Sequence, residues 1–212
     1  MQTNNIKSGG SLMGKLLKLV IPCICLMTVI IFASKISYAS KNKNEPVQSI
    51  ALKDYQYSKG SSSENLSFEK ITTSSFSLPI YETIPAQQIL NSSEFKHLLL
   101  PTNEKLWFIM KGEQPEGLIV ANDTEPIRTG GENRSKDLYG LYKAIKNNTN
   151  ETKDISYFEF EGQGILVVNQ NNDQEIYLSK GAAAILKLPV GQKALSSEVI
   201  QKMKERIVTA FE

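Results

Sequence analysis

Apolar positions recur with two periods along this chain, and the change from one to the other outlines the fold. Leu138, Leu141, Tyr142 and Ile145 are spaced i, i+3, i+4, i+7, one face of a helix that Ser135 is placed to cap. Ile200, Met203, Ile207 and Ala210 form a second such stripe in a helix starting at Ser196, with Glu198 in its first turn. Strand-like runs lie at Leu78–Ile84, Lys105–Met110, Gly117–Ala121, Ile155–Glu161, Gly164–Asn169 and Glu175–Ser179. Gly112, Pro115 and Gly117 punctuate a hairpin, and short polar turns separate the last three runs, so these should be consecutive antiparallel neighbours. Short helical turns are predicted after Pro85, over Glu94–Leu99 and from Gly181 to Leu186, the last two stopped by Pro101 and Pro189. The fold class that results is α+β: a mostly antiparallel sheet of about five strands with helices on one face.

The longest apolar run breaks both periods. Leu19 to Ser34 is uncharged, flanked by Lys15 and Lys18 on one side and Lys35 on the other, and Ser37-Tyr38-Ala39-Ser40 follows. A basic start, an apolar middle and a small-x-small exit make up the layout of a secretory signal peptide, with cleavage between Ala39 and Ser40. The run is shorter than the roughly 20 residues that cross a bilayer, but lysine snorkelling can stretch it, so retention as a single-pass anchor is the second reading. A soluble core helix is disfavoured because the run has no polar face. Both leading readings keep the lysines inside and put the C-terminal part outside the cytoplasm. Met1 and Met13 are both usable starts. The chain therefore divides into a signal peptide or anchor over 1–39, a polar spacer rich in Ser, Asn and Lys over 40–76, and one α+β domain over 77–212.

Charge changes meaning once the leader is set apart. The chain of 212 residues has 24 basic and 22 acidic residues. Four lysines and no acid fall within 1–39, so the rest carries 20 basic and 22 acidic residues and a net charge of −2. Such a domain has no basic footprint, and no nucleic-acid partner is expected. Cys23 and Cys25 both lie in the apolar run, too early in it for a lipid-attachment site. The exported part thus has no cysteine, and disulfides, thiol nucleophiles and thiolate metal sites drop out together. Abundant Lys, Asn, Ile and Ser with scarce Arg resembles, in composition alone, exported proteins of low-GC Gram-positive bacteria. The six Asn-x-Ser/Thr triplets are what an Asn- and Ser-rich chain generates by chance.

Candidate chemistry is sparse. His97 is the sole histidine, so no multi-histidine zinc site and no Gly-x-Ser-x-Gly triad scaffold exist, and neither a metal nor a cofactor is expected. Glu159 and Glu161 alternate with Phe158 and Phe160, which in a strand would put both carboxylates on one face. Such a pair, with Asp154, would suit a secreted hydrolase working by acid and base catalysis, the alternative reading of function. The more informative segment is RTGGENRSK, from Arg128 to Lys136. Two of the three arginines lie here, Arg128 and Arg134, around Gly130-Gly131 and just before a predicted helix start. Planar guanidinium forks, an approachable backbone and helix N–H groups favour an anion. The competing reading is an ordinary connection whose arginines pair with Glu125, Glu132 or Asp137. No catalytic set is assigned. The leading expectation is an exported cell-envelope domain that binds an unidentified envelope protein or anionic ligand without catalysis.

Overall fold

The computed structural model describes residues 45–59, 71–148, 154–170 and 173–211. The leader at 1–39 lies outside them. No helix among the described residues is long and apolar enough to cross a membrane. The described residues from Pro46 onward belong to one compact unit. In chain order its elements are α1 (Val47–Ser58), β1 (Ile71–Thr73), β2 (Leu78–Thr83), α2 (Ala86–Asn91), a single 3-10 turn (Phe95–Leu98), β3 (Leu99–Lys111), β4 (Gln114–Ala121), β5 (Pro126–Gly130), α3 (Glu132–Asn147), β6 (Asp154–Phe160), β7 (Gln163–Gln170), β8 (Asp173–Leu178), α4 (Lys180–Leu186), β9 (Lys193–Ala194) and α5 (Ser196–Phe211).

The architecture is α+β, but the expected sheet of about five strands is a mixed sheet of nine. Its order is β5-β4-β3-β2-β6-β7-β8-β9, with β1 paired to β3. Every described pairing is antiparallel except that of β2 with β6, where Ile80 faces Tyr157 and Tyr81 faces Phe158. Two meanders, β2 to β5 and β6 to β9, are therefore joined side by side through the α3 crossover. The hairpin of β3 and β4 and the run of β6, β7 and β8 form as their turn signals predict. The extra strands are short ones, β1, β5 and β9, whose few residues carry no legible alternation.

Helices cover both faces, not one. Even-numbered β3 positions Leu106, Phe108 and Met110 pack with Leu118, Val120, Tyr157, Leu166 and the α3 stripe Leu138, Leu141 and Ile145. On the opposite face, Ile109 and Ile119 meet Ala51 and Tyr55 of α1. At the other end of that opposite face, Phe158, Phe160, Ile165 and Val167 meet α4 and the α5 residues Val199, Ile200, Met203 and Ile207. Strands apolar on both sides must be sandwiched, and β4 and β7 read as continuous apolar runs for that reason. The α5 stripe is buried as expected except for Ala210, which stays exposed.

The stretch 40–76, read as a spacer, holds both α1 and β1. Its apolar positions are few, but Ala51 and Tyr55 are four residues apart and fully used: both are buried, and the Tyr55 hydroxyl donates to the Glu116 carbonyl at 3.0 Å. An amphipathic helix needs little apolar surface of its own when the sheet presents Ile109, Ile119 and Trp107 to it.

The helix-packed face also fixes a glycine. A Cβ on Gly164 would stand 2.8 Å from Tyr157 Cε2 and 3.0 Å from Leu138 Cδ2, so α3 can seat on β7 only over a bare backbone. Gly140, in the interior of α3, has nothing within 4 Å of its Cβ position. Gly164→Ala should lower unfolding stability by about 1–3 kcal/mol through overpacking. Gly140→Ala should raise it by up to about 1 kcal/mol through helix propensity. Urea denaturation of the two variants checks this, and equal midpoint shifts would mean that α3 is not seated on β7 as described.

Candidate functional site

Arg128 lies on β5, Arg134 in the first turn of α3, and Glu159 on β6. Along the sheet, β5 and β6 are four strand spacings apart, about 19 Å if the sheet were flat. Arg128 nevertheless donates from Nη2 to Glu159 Oε1. The sheet must therefore curl, and its concave side holds α3. Register shifts at Pro79/Tyr81 in β2, Ile109/Met110 in β3 and Val120/Ala121 in β4 lie in the three strands between them, where bulges bend strands and strengthen twist.

Gly130 and Gly131 make the connection possible in a different way from the one expected. Their φ angles are +125° and +76°, a region where side chains are strained, and they turn the chain straight from β5 into α3. The helix begins at Glu132 and not at Ser135. Gly131 supplies no side-chain cap, and Ser135 is buried in the first turn with its hydroxyl donating to the Glu132 carbonyl at 2.7 Å. The two glycines thus serve the backbone reversal that brings Arg128 and Arg134 to one place.

Glu159 Oε1 collects three donors: Arg128 Nη2, Arg134 Nη2 at 2.7 Å and the Tyr157 hydroxyl at 2.9 Å. Arg134 also donates to the Tyr157 oxygen, and its guanidinium sits 5.8 Å from the centre of the Tyr157 ring. Tyr157 and Glu159 point the same way because they are two residues apart on one strand. The Glu159 side chain is 23% exposed, Arg134 28% and Arg128 54%, so the cluster runs from half-dry to wet. Burial by itself would raise the Glu159 pKa; the hydrogen bond from Arg128, the charge of Arg134 and the hydrogen bond from Tyr157 overcome it and hold the carboxyl below its ordinary value. Arg128 is raised in turn, chiefly by its bond to Glu159. Burial above all pushes the Tyr157 phenol far up, so it stays protonated as a donor. Arg134 Nε is buried and has no hydrogen-bond partner among the described residues; it lies beside a cavity of about 70 Å³ walled by Leu118, Val120 and Gly130.

The four residues picked from the sequence, Arg128, Gly130, Gly131 and Arg134, therefore come together, and their anion is internal. The carboxylates expected to pair with these arginines are engaged elsewhere or do not reach them. Glu132 meets Lys136 at 3.1 Å and Lys59 at 3.7 Å. The Asp137 carboxylate accepts the backbone N–H of Lys180 at 2.7 Å. Glu125 contributes only backbone groups to the Asn122 turn. Neither Glu159 nor Tyr157 was readable as a partner, since each lies more than 20 residues away in sequence.

The carboxylate pair proposed for acid and base work is split. Glu161 falls in the turn after β6 with φ +48° and bonds Arg206 Nε through both oxygens, at 3.1 and 3.0 Å. Strand geometry ends one residue too early for the two side chains to share a face. A carboxyl held below its ordinary pKa is a poor general acid, and one whose oxygen already accepts three donors is a poor base. Asp154 starts β6 in an exposed position, and His97 is exposed in the 3-10 turn. No group of three or more His, Cys, Asp or Glu among the described residues is placed to hold a metal ion. Comparison with protein-family models, curated proteins and solved structures gives no match to this chain.

Two results should follow from this geometry. In a double-mutant cycle of Arg134→Met and Glu159→Gln, urea unfolding should give a coupling of about 1–3 kcal/mol. A coupling near zero would mean that the ion pair is not formed. The second concerns acid. The folded Glu159 pKa is depressed, so its stabilisation is present above the ordinary carboxyl value of about 4.3 and is lost as pH falls below it through the folded value. Glu94, Glu132 and Glu205 are also lowered by neighbouring lysines, but they are exposed and screened by salt. Thermal melts from pH 7 to pH 3 should therefore show a shallower acid limb in Glu159→Gln than in the parent chain.

Proposed function

We propose that this chain is an exported cell-envelope protein whose folded unit binds an anionic ligand or a partner's carboxylates at the Arg128–Arg134 cluster, without catalysing a reaction. The observation that carries the reading is the exposure of Arg128 at the edge of a held guanidinium pair. Glu159 fixes both arginines by one oxygen, and more than half of the Arg128 side chain remains in solvent. An arginine already held in place loses less rotamer freedom when a second acceptor arrives. Arg128 also lines a groove of about 570 Å³ with Tyr81, Thr83 and the exposed Ile127; Glu82, Glu104 and Glu159 line it too, so an anion would be held at the solvent side of the guanidinium and not deeper in the groove. Export rests on the lysine-bracketed apolar run and the Ala39-Ser40 exit, with removal of the leader or its retention as an anchor both placing the unit outside. Glu159 works here as a clamp, and the hydrolase reading loses its main carboxylate to that role.

Cell fractionation with sequencing of the mature N-terminus tests the export half. The expected product starts at Ser40, or else the full chain sediments with membranes; a full-length soluble cytoplasmic chain would overturn it. Thermal shift in citrate tests the site. Citrate should raise the melting temperature of the parent chain, and Arg128→Ala should remove most of that rise. An undiminished rise in the variant would take the cluster out of consideration.

A further inference from the structure

The groove beside Arg128 carries charges that the clamp does not use. Strands β2 to β6 wall it, and no residue of α3 lines it. Glu82, Glu104 and Glu159 face it against Arg128 alone, so its lining has a net charge of −2. Glu159 is taken up by the two arginines. Glu82 and Glu104 are not taken up: among the described residues neither carboxylate has a hydrogen bond or an ion pair.

The sheet holds these two glutamates in place. In the parallel pair Ile80 faces Tyr157 and Tyr81 faces Phe158, and the same register sets Glu82 beside Glu159. Glu104 stands two residues before Leu106 and shares its concave side. The β2–β3 ladder shifts register there, and the Thr102 hydroxyl bridges the gap. It donates to the Ile80 carbonyl at 2.7 Å and accepts the Glu104 N–H at 3.1 Å. Like charges on neighbouring strands cost stability, so a cation from outside is favoured between them. A metal ion does not suit the site, because no three acidic, His or Cys side chains among the described residues are grouped to hold one. An alkylammonium does, since its charge can serve two separated carboxylates while its stem packs on apolar surface. Ile80, Val120, Tyr81 and the exposed Ile127 supply that surface.

We infer that the ligand of the Arg128 site is a zwitterion. Its carboxylate sits on the solvent side of the Arg128 guanidinium, its ammonium reaches into the groove between Glu82 and Glu104, and an aliphatic stem joins the two over Ile80 and Val120. This rests on the anion reading proposed above and narrows it. Arg128 on β5 and Glu104 on β3 are two strand spacings apart, about 10 Å, a span that a stem of lysine length covers together with its two end contacts. The groove volume of about 570 Å³ lies in the range of small-molecule sites, and its make-up of apolar walls with a few convergent charges is typical of them. The same carboxylates disfavour an anion that brings no ammonium.

The test uses the purified chain and three probes of one shape. Nα-acetyl-L-lysine has both charges, its Nε-acetylated form keeps only the carboxylate, and its amide keeps only the ammonium. NMR titrations should give the first a dissociation constant below that of either other probe by a factor of about five or more, the worth of one partly exposed ion pair. Glu104→Gln and Glu82→Gln should each bring that constant up towards the value for the carboxylate-only probe, and neither should reduce the stabilisation by citrate. Free L-lysine, with an ammonium next to its carboxylate, separates the two sources of such a ligand: binding as tight as the acetylated form assigns the site to a free amino acid, weaker binding to a chain ending in lysine. Equal constants for the three probes, no binding of Nα-acetyl-L-lysine, or an unchanged constant in both glutamate variants would each overturn the inference. The anion reading fails separately, if Arg128→Ala leaves the citrate response intact.

Discussion

The curl of the sheet around α3 is the constraint from which the rest follows. Helix α3 has three buried apolar residues, Leu138, Leu141 and Ile145, and it can bury them only in a concave surface that reaches from β3 and β4 to β6 and β7. A flat sheet would leave one of those strand pairs out of reach. Register shifts in β2, β3 and β4 break the regular ladder in the strands that have to bend. Once the sheet is curled, its convex face is exposed over the whole width, and apolar side chains there need cover of their own. Helix α1 provides it at one end, and α2, α4 and α5 at the other.

Charge chemistry gathers where the curl closes. The Arg128–Glu159–Arg134 cluster joins the first strand of the sheet, the first turn of α3 and the fifth strand, with Tyr157 linking it to the core. Ion pairs of this partly buried kind gain Coulomb energy and lose hydration, and their net stabilisation is modest. Their geometric effect is larger. A carboxylate oxygen with three donors fixes two arginine side chains at once, and so sets what each presents to solvent. The same arrangement explains why an arginine-rich loop and a glutamate-bearing strand, each suggestive alone, are better understood as parts of one clamp.

Much of the architecture was legible because it rests on periodicity. The α3 and α5 stripes, the β3–β4 hairpin and the β6–β7–β8 run all follow from spacing within stretches of 25 residues or fewer. What was hidden depends on distance in sequence. The parallel pairing of β2 with β6 carries no local mark, and neither does the burial of Tyr55 against Gly117 and Ile109. Helix α1 was missed because polar sequence flanks it on both sides and most of its partner surface is on strands more than fifty residues later. The site was half readable: composition picked out Arg128 and Arg134 as unusual, and the close backbone approach that glycine allows picked out Gly130-Gly131. Glu159 was singled out too, but for catalysis, since the pattern of its own strand said nothing about which cations the curl would bring to it. Glu161 shows the reverse limit, for a strand that stops one residue early sends its carboxylate to Arg206.

The central claim is that Glu159 is an ionised clamp between two arginines. Its most direct test is a carboxyl titration by carbon-detected NMR, following the Glu159 side-chain carbon from pH 7 down to pH 2. The account predicts a midpoint below the ordinary glutamate value of about 4.3, moving upward when Arg134 is replaced by Met. A midpoint at or above that value, or one indifferent to Arg134, would contradict the clamp and return Glu159 to candidacy as an acid.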